Sequence, residues 1–319
     1  MRKLVLPVLL LMLALAACGG GSSASGGTLR VGVIVASGNE PSGIENWAYQ
    51  QGILQSRLKA AGIDSVQFVG FPNGPNLNQA LKGGSLDVGV LGDTPAISGR
   101  AADLPTQLSG VSVRGQEAWL IAAPGVHSLA DLKGKTVATQ QGSYMHRYLV
   151  GLLDSAGLAS SVKVTFLLAN SAQQALDKGD IAAYAAPVST GPLLLSKGYT
   201  AIDKASAHPG LTGNSYITIS QDAAKQHPQL AAAWNTAIAD AATKLKADPE
   251  QYYAYVAKIS GLPVDVVRAS YPASVFGDPR PTAADVRTVQ DTLNFLVAQK
   301  LAAAPFDVNS WVAPGVAAA

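Results

Sequence analysis

Three short stretches of this 319-residue sequence put glycine, proline and small polar residues where an apolar run gives way to a helical pattern. FPNGPN at 71–76 carries Asn73, Gly74 and Asn76; GDTP at 92–95 carries Gly92, Asp93 and Thr94; QGSYMH at 141–146 carries Gly142, Ser143, Tyr144 and His146. A proline in the first helical turn behind a small or amide cap marks a helix start. Pro75 follows Gly74 or Asn73, Pro95 follows Thr94 or Asp93, and Ser143 is the natural cap of the third helix. A helix start carries free N–H groups and roughly half a positive charge, which together accept an anion. Three converging starts would hold a small anionic head group without an arginine. Ordinary capping accounts for each turn taken singly.

Other chemistry finds little support. Lys133-Gly134-Lys135-Thr136 ends like a phosphate-binding loop, but the glycine required five positions before Gly134 is Leu129. No G-x-S-x-G elbow occurs, against an α/β-hydrolase. His127, His146, His208 and His227 lack metal-ligand spacing, and no metal or cofactor is expected. His146, one turn into its helix, suits a pocket or a satisfied structural role equally. Asp93 has the chemistry of a general base, but a helix cap explains it without catalysis.

The elements that position these turns follow from periodicity. LRVGVIV (29–35) reads as a buried strand. Ser42 and Glu45 have capping-box spacing, and Trp47, Leu54, Leu58 and Ala61 share one face of a helix that Gly62 stops. Strands are expected over 66–71 and 86–91, each feeding one of the first two turns. Strand and helix alternating at these distances predict βαβ units and a mainly parallel sheet. The alternation restarts after two extended stretches broken at Arg114-Gly115. A short helix capped by Ser128 and Asp131, the strand KTVATQ and a helix with Met145, Tyr148, Leu149, Leu152 and Leu153 on one stripe follow. From Ala223 onward the pattern is nearly all helical, with a long helix over AAAWNTAIADAATKLKA and a last one near TAADVRTVQDTLNFLVAQK.

A hydrophobic content of 48% over this length suits two lobes rather than one. The expected division is 29–115 with 217–319 as lobe I and 116–216 as lobe II, the site lying between them. The formal charge of +2 comes from Arg2 and Lys3, leaving 21 basic against 21 acidic side chains, which gives no support to a nucleic-acid partner. Arg2 and Lys3 precede the apolar run LVLPVLLLMLALAA, a secretory signal over 1–17 and short for a membrane span. Leu15-Ala16-Ala17-Cys18 resembles the bacterial lipobox, which implies lipidation of Cys18, the sole cysteine, and attachment to the outer face of the cell membrane or a periplasmic location. Residues 18–28 read as a flexible Gly/Ser tether. With Cys18 acylated, no disulfide within the chain is expected.

FPNGPNLNQALKGGSLDVGVLGDTPA is similar to the motif of the aliphatic-sulfonate, taurine and nitrate substrate-binding proteins of ABC importers. The match continues through Gln116-Glu117-Ala118, SLADLKGKTVAT, GSYMHRYL, DSAGL and ALDKGDIAAY. The resemblance implies the α/β, two-lobed type II periplasmic-binding fold, each lobe a mainly parallel sheet flanked by helices, with a helical C-terminal segment. It implies a monomeric, non-enzymatic receptor that closes on a small organic anion of the sulfonate or taurine kind and delivers it to permease subunits. Carried over residue by residue, it adds Gln116, Glu117 and Pro187 to the ten residues of the three turns. Where the family commonly has an aromatic WDP, this chain has Ala185-Ala186-Pro187-Val188, which leaves the ligand's tail open. Nitrate, an aromatic carboxylate and a thiamine-precursor pyrimidine stand as alternative ligands. An enzyme resembling thiamine-pyrimidine synthases would need a cysteine-rich motif that this chain lacks.

Overall fold

The computed structural model describes residues 27–35 and 42–317; the expected signal over 1–17, Cys18 and the tether up to residue 26 lie outside the described residues. Gly27 and Thr28, expected in the tether, already belong to the first strand, where they pair with the neighbouring strand. The first half alternates strand and helix as the apolar spacing dictates. The order is β1 (Gly27–Ile34), α1 (Ile44–Gln50), α2 (Ile53–Lys59), β2 (Ile63–Phe71), α3 (Gly74–Lys82), β3 (Val88–Gly92), α4 (Asp93–Ala101) and β4 (Thr106–Gln116). Next come β5 (Trp119–Ala122), β6 (Thr136–Thr139), α5 (Tyr144–Ser155), β7 (Lys163–Phe166), α6 (Ala169–Asp177), β8 (Ala183–Ala186), α7 (Thr190–Ser196) and β9 (Thr200–Lys204). The chain then returns through β10 (Gly213–Ser220) to α8 (Gln221–Gln226), α9 (Leu230–Ala247), α10 (Pro249–Ser260), α11 (Val264–Ser270), α12 (Ala283–Ala298) and α13 (Val308–Trp311).

Two five-stranded sheets result, ordered β2-β1-β3-β10-β4 and β7-β6-β8-β5-β9. In each, the fourth strand runs antiparallel to both neighbours and the other four run the same way. The sheets are therefore mainly parallel with one reversed strand each. Alternate residues feed opposite faces, as a period of two requires. On β10, Ile217 and Ile219 pack with Trp234, Ile238 and Tyr252 of the helical tail, while Tyr216 joins Leu91, Leu293 and Trp311 on the other face. The tail thus covers both faces of the first sheet. On the second sheet, Leu120 and Val137 pack under the apolar stripe of α5, and Ile121 and Tyr184 pack against α6 and α7.

Several local expectations are corrected. The helix expected to run unbroken from Ser42 to Gly62 is two helices, because Gly52 adopts a left-handed conformation between them. Ser42 is not its cap: Gly43 holds that position with no side-chain cap bond, so the capping box with Glu45 does not form. Gly92, not Asp93 or Thr94, caps α4, and Pro95 is its third residue. Strand β4 continues through Arg114-Gly115, with register shifts against β10 absorbing the turn. The short α13 follows the helix expected to be last.

Candidate functional site

A cleft lies between the two sheets, with about 1070 Å³ of empty space counted out through its open mouth. Its wall is built from three helix starts. Gly74 opens α3, Gly92 and Pro95 belong to the start of α4, and Ser143, Tyr144 and Met145 to the start of α5. The first turn of a helix leaves N–H groups without intrahelical partners. Asn73 satisfies one of them, its Oδ1 accepting from Asn76 N at 2.8 Å. Ser143 Oγ accepts from His146 N at 3.2 Å and donates to Gln140 O at 2.6 Å. A Cβ on Gly74 would lie 2.3 Å from Pro95, so glycine is what lets the α3 and α4 starts meet.

Of the thirteen residues singled out in the sequence, Gly74, Gly92, Gln116, Ser143, Tyr144 and Pro187 line the cleft. The other seven do not. Asn73 serves as a cap and Asn76 is exposed. Glu117 Oε1 accepts from Ala118 N and from Ser206 N at 2.9 Å, pinning the crossing between the sheets. Gly142 backs onto Pro75, with 3.0 Å between a built Cβ and the proline ring. His146 packs edge-on against Phe166, and burial pushes its imidazole below the ordinary value, which favours the neutral form.

Asp93 and Thr94 turn away from the cleft because a buried arginine claims them. Arg147 of α5 is 2% exposed and Asp93 is fully buried. Arg147 Nη2 donates to Asp93 Oδ2 at 3.1 Å, and its guanidinium also donates to Gly210 O and Thr212 O. Asn214 donates twice more to Asp93 Oδ2, and the Thr94 hydroxyl donates to Asp93 Oδ1 at 3.0 Å. Asp93 and Thr94, expected from the motif to meet a ligand, here have their side-chain polar atoms engaged in joining the sheets and do not line the cleft. Ser143 likewise has its one hydroxyl proton engaged on Gln140 O.

Sequence reasoning missed much of the wall. Gln140, one residue before the QGSYMH stretch, donates to Pro72 O at 2.9 Å across the cleft mouth. Tyr252, Tyr271 and Phe276 come from the helical tail and carry no local signal. On the far side, Ser189 N donates to Ser270 Oγ at 2.9 Å, a second contact across the gap. Glu45 lines the cleft at 3% exposure, and its Oε1 takes no hydrogen bond. Among the described residues, no lysine, arginine or histidine lines the cleft, and no cluster could hold a metal ion.

Residues 44–258 match the family described as the substrate-binding domain of ABC-type glycine betaine transport systems. A putative aliphatic sulfonates-binding protein of Escherichia coli (strain K12) is 33% identical over 226 residues, covering 69% of this chain and 68% of that protein. The alkanesulfonate-binding protein SsuA from Xanthomonas axonopodis pv. citri, solved bound to MOPS, superposes with a TM-score of 0.77 at 25% identity, covering 91% of this chain and 99% of that one. The desulfurization enzyme DSZB shares the fold, with a TM-score of 0.67 at 15% identity over 91% of this chain and 97% of its own.

Proposed function

The chain belongs to the family of substrate-binding domains of ABC importers, and from that membership we propose that it captures a small organic anion of the aliphatic sulfonate or taurine kind. The observation that carries the reading is the meeting of three helix starts on one cleft wall, two from the first sheet and one from the second. Their backbone N–H groups supply donors and positive potential where no basic side chain stands. Gln116 adds a side-chain amide donor to the same wall. The sulfonate-binding relatives support this class of head group.

In this reading residues 29–115 with 217–319 form lobe I and 116–216 form lobe II. A ligand touching helix starts on both lobes favours the closed state, and the permease reads closure. Gln140 to Pro72 and Ser189 to Ser270 are the protein's own closing contacts. The chemistry is capture and release, with no reaction at the site. The lipobox-like Leu15-Ala16-Ala17-Cys18 would tether the receptor to the membrane. Cys18→Ala is expected to leave an unprocessed precursor or release the protein from the membrane fraction; normal processing with unchanged retention would remove the anchor from the proposal.

Calorimetric titration in sulfonate-free buffer tests the head group. Short alkanesulfonates should bind and the matching alcohols should not. Affinity confined to uncharged or purely cationic compounds would retire the anion. Gly74→Ala probes the geometry without touching a side chain. Forcing a methyl against Pro95 should cost about 1–3 kcal/mol as overpacking. It should also part the α3 and α4 starts, weakening a sulfonate by about tenfold, or 1.4 kcal/mol. Full affinity in a folded Gly74→Ala variant would show that the two starts do not hold the head group together.

A further inference from the structure

Building on the anion reading above, we propose that Glu45 is the seat of a protonated amine on the ligand, so that the solute is bipolar, with its anionic end on the helix starts and its ammonium on Glu45. Three observations carry this. Glu45 is 3% exposed and faces the cleft. Its Oε1 accepts no hydrogen bond, although an ionised carboxylate is purely an acceptor and leaving it unpaired is costly. No lysine, arginine or histidine among the described cleft-lining residues is available to pair with it.

The neighbours leave that vacancy to a ligand. Ser112 on β4 lies beside the carboxyl and, together with Glu45's own backbone N–H, eases its charge, yet neither the Ser112 hydroxyl nor Glu45 Oε1 reaches a partner in full hydrogen-bonding geometry. The Tyr252 hydroxyl on α10 donates to Ser42 O, the Tyr271 hydroxyl meets Ser189 Oγ, and Asn46 donates to Tyr255. A carboxylate in a first helical turn can be a simple complement to the helix dipole, but that role is served at the surface. In a cleft wall that also carries Tyr252, Tyr271 and Phe276, a buried carboxylate with one oxygen unpartnered is expensive. An ammonium brings opposite charge and N–H donors, a charge-assisted pair, and the aromatic faces suit a cation.

Burial pushes the Glu45 carboxyl above its ordinary 4.5, so the empty cleft favours the protonated form. Because the folded value is raised, the stability contributed by Glu45 is fully present below 4.5 and lost as pH climbs through the folded value. Thermal melts of the empty protein should therefore fall with rising pH in a way that Glu45→Gln flattens. An ammonium ligand ionises Glu45 on binding, releasing a proton and binding more tightly as pH rises through that range. Ser112 and Tyr252 are the polar side chains that act on it, Tyr271 and Asn46 share the cleft wall, and the tyrosines stay protonated because burial raises them.

The test is calorimetry on the full chain with matched pairs: taurine against ethanesulfonate, 3-aminopropanesulfonate against propanesulfonate, and β-alanine against propionate. The aminated member should bind roughly ten- to a hundredfold tighter. Glu45→Gln should bring that ratio near one while the unaminated partner binds as before. Equal or weaker binding of the aminated members, or a preference that survives Glu45→Gln, overturns the proposal. So does affinity that rises as pH falls, which would mean a protonated Glu45 donating to an anion. N,N,N-trimethyltaurine binding as tightly as taurine would move recognition to the aromatic faces and also overturn it. Preference for β-alanine over propionate with no sulfonate bound would keep the amine seat and discard the sulfonate reading. Failure of every aminated compound to bind overturns the seat.

Discussion

Arg147→Met is expected to destabilise the protein by about 3 kcal/mol, the low end of the 3–5 kcal/mol seen when one partner of a buried ion pair is removed. The low end is chosen because Asp93 would keep other donors: Asn214 N at 2.9 Å, Asn214 Nδ2 at 3.2 Å and the Thr94 hydroxyl at 3.0 Å. What it would lose is its counter-charge, in a place with no water contact. Gly210 O and Thr212 O would lose their donors at the same time. Those carbonyls lie on the segment leading into β10, where the chain returns to the first sheet. Arg147 therefore fastens α5 of the second sheet to both α4 and the returning strand. Urea unfolding should show a lower midpoint with an unchanged slope. Asp93→Asn with Arg147→Met should cost at least 1 kcal/mol less than the sum of the single changes, because the two groups share one network. A loss below 1 kcal/mol in Arg147→Met, or strict additivity, would mean the pair does not hold the two sheets together.

This pair also shows where sequence reasoning reaches its limit. The GDTP stretch correctly marks a helix start at the carboxyl end of a strand, because glycine and proline act on the backbone locally. Whether Asp93 faces a ligand or a partner is decided by Arg147, 54 positions away in sequence. Nothing in the local pattern encodes that encounter. The α5 stripe was legible for the opposite reason: Met145, Tyr148, Leu149, Leu152 and Leu153 declare a buried face by spacing alone, and all five are buried. Glu45 lies between these cases. Its spacing from Ser42 reads as a capping box, a local bond, but it is buried on a cleft wall that Tyr252 and Tyr271 of the helical tail help to build. Tertiary burial outweighs a capping preference worth about 1 kcal/mol. The helix break at Gly52 is a smaller version of the same point, since a continuous apolar face on Trp47, Leu54 and Leu58 survives a left-handed residue between the two helices.

Tyr144→Ala is the second change expected to have a large effect, and its conservative companion separates packing from hydrogen bonding. The ring is 6% exposed and belongs to the core beneath the second sheet. It lies so close to Gly213 that a Cβ there would sit 2.4 Å away, and it approaches Gly92 on the first sheet. The hydroxyl donates to Glu117 O at 3.0 Å and accepts from Val188 N at 3.2 Å. Burial raises its ionisation well above the ordinary 10, so it remains a donor throughout the physiological range. One side chain thus touches both crossings between the sheets, the α4 start and the loop after β8. Truncation to alanine should cost about 3–5 kcal/mol, as for other buried aromatics. Tyr144→Phe keeps the ring and orphans the Val188 N–H, for about 1–3 kcal/mol. Binding should divide the two variants. Phenylalanine preserves the cleft wall and should hold affinity within a few-fold, because the hydroxyl is already saturated by backbone. Alanine opens the wall between Gly92 and Gly213 and should weaken a bound sulfonate by about a hundredfold, some 2.7 kcal/mol. Calorimetry on both variants, with thermal melts to establish that each is folded at the titration temperature, decides the matter. If phenylalanine loses as much affinity as alanine, the hydroxyl reaches the ligand and its bonds to Glu117 and Val188 give way on binding.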